Sequence, residues 1–152
     1  MFFMIKLSDI STLPPEGIEK AELRDQTKDY AKRIGALHNL LKAERKHSLL
    51  VIFQGMDASG KDGAVKNVFE KCTHNDISAY SFKKPTDEEF AHDFLWRVHK
   101  QCPAKGEIKI FNRSHYEDVL IQRVHGWIDD ERVKNRMAAI NAFNCDSLGT
   151  TL

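Results

Sequence analysis

The residues best suited to chemistry lie in the stretch QGMDASGKDGAV, residues 54–65, where three glycines surround a lysine. Gly55, Gly60 and Gly63 let the backbone turn tightly and aim successive N–H groups at one point, and Lys61 adds a positive charge there. The spacing Gly55-x-x-x-x-Gly60-Lys61 matches a phosphate-binding loop through its lysine, with Ala58 and Ser59 inside the turn. Phosphate oxygens would take the N–H groups and the positive end of the following helix, while Lys61 neutralises the outer phosphates. A glycine-rich turn carrying a surface lysine is the plainer alternative. Two acids share the loop. Asp62 stands where a Ser or Thr hydroxyl ordinarily helps to hold Mg2+, which a carboxylate cannot do in the same way. Asp57 is placed either to face a transferred phosphoryl group and its metal, or to bond local N–H groups as a turn residue.

Two further stretches carry charge at suitable places. In FNRSHYEDV, residues 111–119, Asn112 brings a carbonyl acceptor without charge, and Arg113 is a planar fork suited to phosphate oxygens or to a salt bridge with Glu117. Glu117 either points back at the loop or caps its helix. Ser114 and His115 read as an N-cap and a surface imidazole, since neighbours on a helix do not face each other. In SFKKPT, Lys83 and Lys84 form a rim for an anion or a solvated loop. In HDFLWR, Asp93 and Arg97 are four apart, a ready ion pair, with Phe94 and Trp96 in the core. Arg123 lies a helix away and could reach inward to phosphates. His92, His99 and His125 are expected to take no catalytic part.

These residues need elements to hold them. Leu23, Tyr30, Ile34, Leu37 and Leu41 recur at helical spacing between Glu16 and His47 and predict an amphipathic helix buried along that stripe. Leu49 to Phe53 predicts a strand buried on both faces, and Ala64, Val65, Val68, Phe69 and Cys72 a second helix. Ile77 to Phe82 alternates as a strand. Thr86 and Glu89 then form a capping box for one helix running to about Pro103. Glu107 to Phe111 predicts a third strand. Two helices follow, one with Val119, Leu120 and Val124, the other with Val133, Met137 and Ile140 behind an Asp129 cap. Helix, then three strand–helix units, is the pattern of a parallel sheet covered by helices, with ligands at the carboxyl ends of the strands.

Composition narrows the function classes. The 152 residues hold 23 basic and 22 acidic side chains, so neither a nucleic-acid surface nor a membrane patch is expected. Cys72, Cys102 and Cys145 show no metal or disulfide spacing, which suits a reducing cytosol. The opening MFFMIKLSDI is too short in apolar length for a signal peptide or a span. A cytoplasmic protein is expected, with a lead-in over 1–15 and one domain over 16–152.

Taken together, GMDASGKDG, SFKKPTDEEFAHDFLWRVHK and FNRSHYEDVLIQRV resemble the polyphosphate kinase 2 family in the same order, over roughly Tyr30 to Phe143. These are phosphate-loop phosphotransferases related in fold to thymidylate kinase. The resemblance implies Mg2+-dependent phosphoryl transfer between inorganic polyphosphate and a nucleotide, ADP or GDP, or AMP in some members. The family loop resembles G-x-D-x-x-G-K-x-G, which Gly55, Asp57, Gly60, Lys61 and Gly63 satisfy. The place after the lysine varies there, so Asp62 is ordinary and Asp57 takes the acidic, metal-linked role. Many members carry Asp at the position of Asn112, which leaves Asn112 to position a water or a phosphate. Arg97 becomes a nucleotide- or phosphate-side candidate.

The implied fold is an incomplete P-loop kinase-like α/β domain with strand order 2-3-1. Family members continue into a further strand and an arginine-bearing lid, which NCDSLGTTL replaces here. The resemblance therefore implies a shortened chain whose first strand is an edge seeking a partner, in self-association or a homo-oligomer. A phosphate- or nucleotide-binding remnant, or an interaction module without turnover, is the alternative. A GTPase is not supported, because no N-K-x-D motif is present.

Overall fold

The computed structural model describes residues 10, 11, 13, 17, 19–73 and 77–147. Most of the expected lead-in and the end of the tail, residues 148–152, lie outside these. The elements in chain order are α1 (Lys20–Glu44), β1 (Leu49–Phe53), α2 (Lys61–Val68), β2 (Ile77–Ser81), α3 (Asp87–Ala91), α4 (Trp96–His99), β3 (Ile108–Asn112), α5 (Glu117–Val124) and α6 (Asp130–Ser147).

The three strands form a parallel sheet in the order β1-β3-β2, the 2-3-1 order expected. Register decides where the chemistry gathers. Asn112 at the end of β3 lies opposite Phe53 at the end of β1 and Ser81 at the end of β2. The chain leaves all three strands at one level, so residues 54–63, 82–84 and 113 meet at one end of the sheet.

β3 is central and apolar, with Ile108, Ile110 and Phe111 buried. Edge-to-face ring contacts run from Tyr80 through Phe82 to Phe111. Leu50, Leu95, Val98, Val119, Ile140 and Phe143 complete the cluster and fasten α4, α5 and α6 to the sheet. β1 is less buried than expected, because it is an edge among the described residues: Leu49 is exposed and Val51 to Phe53 are half-buried.

The buried stripe of α1 differs from the one its large apolar residues predict. Ala31, Gly35 and His38 face inward, whereas Leu23, Tyr30 and Leu37 are exposed. The cause is close approach. A Cβ on Gly35 would lie 2.6 Å from the Lys71 carbonyl oxygen, so glycine at that position lets α1 seat on the segment after α2. α5 likewise buries Val119 but leaves Leu120, Ile121 and Val124 exposed.

The helix expected from Thr86 to Pro103 is two short ones. Its capping box forms as expected, with the Thr86 hydroxyl accepting from Glu89 N and the Glu89 carboxylate from Thr86 N. The helix then stops, because Asp93 Oδ1 accepts from Leu95 N at 2.9 Å and offers the backbone a local alternative to continuing. Phe94 is half-buried and packs against the core as expected, whereas half-buried Trp96 stacks on His92 instead. Asp129 caps the start of α6 through Arg132 N, as expected. Among the described residues no helix is long and apolar enough to cross a membrane.

Candidate phosphate-binding site

The loop between β1 and α2 is wound tightly on itself. Ser59 N bonds Met56 O, Ala58 has φ +60 and Gly60 φ +86, and Ala64 N bonds Gly60 O to open α2. Left-handed backbone is cheap for Gly60 and strained for Ala58, the kind of cost that recurs at ligand-binding loops. Lys61 lies back across the turn. Its ammonium donates to Gly55 O at 2.8 Å and Met56 O at 2.7 Å, near Ser59 Oγ at 3.4 Å. Gly55 packs closely under this turn: a Cβ there would stand 2.8 Å from Ser59 Oγ and would make that hydroxyl rotate away.

The two acids of the loop are held by consecutive residues at the end of β3. Asn112 Nδ2 donates to Asp62 Oδ1, and Arg113 pairs with Asp57. Arg113 stands at φ +62 with its N–H bonded to Phe53 O, which fixes its backbone against β1. Its side chain is 42% exposed and that of Asp57 85%. A cavity of about 610 Å3 opens here, bordered by residues 57–63, 81–84, 112 and 113. Lys61, Lys83, Lys84 and Arg113 supply four cations to its wall against the carboxylates of Asp57 and Asp62.

Gln54 was not singled out from the sequence, yet it braces the loop. Its Nε2 donates to Glu117 at 2.6 Å and its Oε1 accepts from Ser114 Oγ at 3.1 Å. The signal was available: an amide at the exit of a buried strand, beside a glycine loop, needs partners. Glu117 is thus held by Gln54 and not by Arg113. Ser114 and His115 are fully buried, which corrects the surface imidazole. The His115 ring packs on Tyr116 and Phe143, because α6 covers the β3–α5 turn.

The matching family model, Polyphosphate kinase 2, spans residues 17–148. The chain belongs to this family. An AMP/ADP-polyphosphate phosphotransferase of Meiothermus ruber is 46% identical over 112 residues, covering 74% of this chain and 42% of that protein. An ADP-polyphosphate phosphotransferase of Rhodopseudomonas palustris is 42% identical over 106 residues, covering 70% and 37%. A crystal structure of polyphosphate kinase 2 from Arthrobacter aurescens superposes with a TM-score of 0.88 at 40% identity, over 93% of this chain and 52% of that one. The chain therefore spans about two fifths of the length of the curated relatives named here.

Within the family fold, three candidates lie away from the phosphate cavity. Arg97 does not pair with Asp93, because the break before α4 removes the i,i+4 geometry. It is 5% exposed and bonds Asp118 Oδ2 and Lys83 O, each at 2.9 Å, with Glu89 at 3.7 Å. With Glu117 it borders an adjoining cavity of about 290 Å3, which also reaches Lys83, Lys84 and Arg113. Arg123 points outward and pairs with Asp130 at 3.2 Å, which corrects its inward reach. Burial lowers the pKa of Arg136, and Asp118 opposes that shift. Its guanidinium donates to Asp118 O at 2.7 Å and Gln122 Oε1 at 2.9 Å, tying α6 to α5. Cys72 and Cys102 are free thiols whose pKa values burial raises, consistent with packing roles.

Proposed function

We propose that this chain carries the phosphate-handling machinery of a polyphosphate:nucleotide phosphotransferase, moving a phosphoryl group between inorganic polyphosphate and ADP, GDP or AMP with Mg2+. The observation that carries the reading is convergence: the glycine loop, Lys61, Lys83, Lys84 and Arg113 border one cavity at the carboxyl ends of the strands. Phosphoryl transfer asks a protein mainly to position and to neutralise, and these groups do both.

Each contact within the loop has an exchange to make when phosphate binds. Lys61 leaves two carbonyl oxygens for phosphate oxygens, trading neutral acceptors for charged ones. Arg113 turns its fork from Asp57 to a phosphate, which releases the carboxylate. Gln54 and Ser114 hold the strand exits so that these exchanges move side chains and not the loop's anchor points.

The donor set also fits Mg2+. Among the described residues no three His, Cys, Asp or Glu side chains cluster, so a cage built by protein alone is absent. Mg2+ ordinarily needs only one or two carboxylates, with waters and phosphate oxygens filling the rest. Asp57, with Asp62 on the same cavity, supplies these. Bound there, the ion would neutralise charge on the transferring group.

Incubation of the pure chain with polyphosphate, ADP and Mg2+ tests the reading through the appearance of ATP. One observation favours a binding module without turnover: the side chain of Asp57 is 85% exposed, and water at a phosphoryl group diverts it to hydrolysis. That alternative requires saturable polyphosphate binding with no ATP formed.

A further inference from the structure

The cations that border the phosphate cavity are not equally available. Lys61 is engaged with its own loop and Arg113 with Asp57. Lys83 and Lys84 are exposed, and neither side chain has an ion-pair partner among the described residues. They are the charges an incoming polyanion meets first. Both stand on an irregular stretch between β2 and α3, where nothing in the local backbone pattern fixes them. Phe82 N still bonds Asn112 O at 3.3 Å, as a last rung of the sheet. The next carbonyl, that of Lys83, is gripped by Arg97 Nη1 at 2.9 Å.

Arg97 is well anchored for that grip. Its second nitrogen bonds Asp118 on α5, Glu89 on α3 lies nearby, and the guanidinium lies over the Phe82 ring at 5.2 Å. A buried cation is costly unless paired, and here two carboxylates compensate it. A guanidinium can hold a carbonyl and a carboxylate in one plane, whereas a lysine offers a point charge. Arg97 does not border the cavity that Lys61 borders; it reaches that cavity's wall through its hydrogen bond to the Lys83 carbonyl and its stacking on Phe82.

We propose that Arg97 is a positioning residue: through the Lys83 carbonyl it sets the corner from which Lys83 and Lys84 address polyphosphate, without touching that ligand itself. This rests on reading the cavity as a polyphosphate site. The test is titration calorimetry with inorganic polyphosphate on the chain, Arg97→Lys, the pair Lys83→Ala/Lys84→Ala, and the combination. Amide hydrogen exchange of Phe82 is followed without ligand. Arg97→Lys should weaken binding about tenfold, the weight of one charge-assisted contact. It should weaken it by almost nothing further once both lysines are gone. Its Phe82 amide should exchange faster than in the parent chain.

Additive losses, unchanged affinity or unchanged Phe82 exchange would each overturn the assignment. If Arg97→Lys does not fold, Asp118→Asn removes the charge that orients the guanidinium and should give the same non-additivity. If the parent chain takes up no polyphosphate, the functional reading fails. The Phe82 exchange then still decides whether Arg97 holds the corner.

Discussion

Asp57 and Arg113 hold each other, and each has a proposed role toward the ligand, Asp57 with Mg2+ and Arg113 with phosphate. Their pair is exposed and therefore weak, under about 1 kcal/mol, so a polyanion displaces it readily. Asp57→Asn should accordingly change polyphosphate affinity by no more than about fivefold. If the chain turns over, the rate should fall about a hundredfold or more, the usual weight of a group that stabilises transition-state charge. Parallel titration and ATP-formation assays check this, and an unchanged rate would return Asp57 to the role of a turn residue. Asn112→Asp is the complementary probe. Asn112 Nδ2 donates to Asp62, so the substitution sets two carboxylates against each other. The Mg2+ dependence of polyphosphate binding should steepen as the ion relieves that repulsion, and an identical Mg2+ titration would separate Asn112 from the metal.

At the scale of elements, α1 offers a sharp test because two effects oppose each other. Gly35→Ala gains about 1 kcal/mol in helix propensity. It also drives a Cβ to 2.6 Å from a backbone oxygen, and overpacking against a rigid neighbour costs about 1–3 kcal/mol, occasionally more. Net destabilisation is expected in urea unfolding, and a more stable variant would mean that α1 is not seated on Lys71. Thr86→Ala should cost about 1 kcal/mol through loss of the capping box. That box, the glycine loop and the three strands were legible because each is a local pattern. The buried face of α1 was not, since close approach to Lys71 favours small residues over the large apolar ones a periodicity count rewards. The break at Asp93 was also hidden: one side-chain bond to Leu95 N outweighed an otherwise helical run. The ion pair expected for Arg97 was misassigned. Its four-residue spacing from Asp93 suggested a partner that the break takes away, and its true partner, Asp118, is distant in sequence.

For the molecule as a whole, the sheet leaves β1 at an edge among the described residues, with its outer N–H and C=O groups facing away from β3. Leu49 on that strand is exposed. Such an edge recruits a partner strand, so the 152-residue chain should self-associate at about tens of micromolar. Sedimentation velocity checks this, and a clean monomer with a cooperative melt and full turnover would contradict it. The loop of residues 54–63 is proposed to bind, through Lys61, the phosphates on which the chemistry acts. Calorimetric titration of inorganic polyphosphate into the chain and into Lys61→Ala, with circular dichroism of both, addresses it most directly. Saturable binding is expected for the parent and lost in the variant, whose fold and melting stay those of the parent. Equal affinity in a folded Lys61→Ala variant would contradict it and remove the loop from the site.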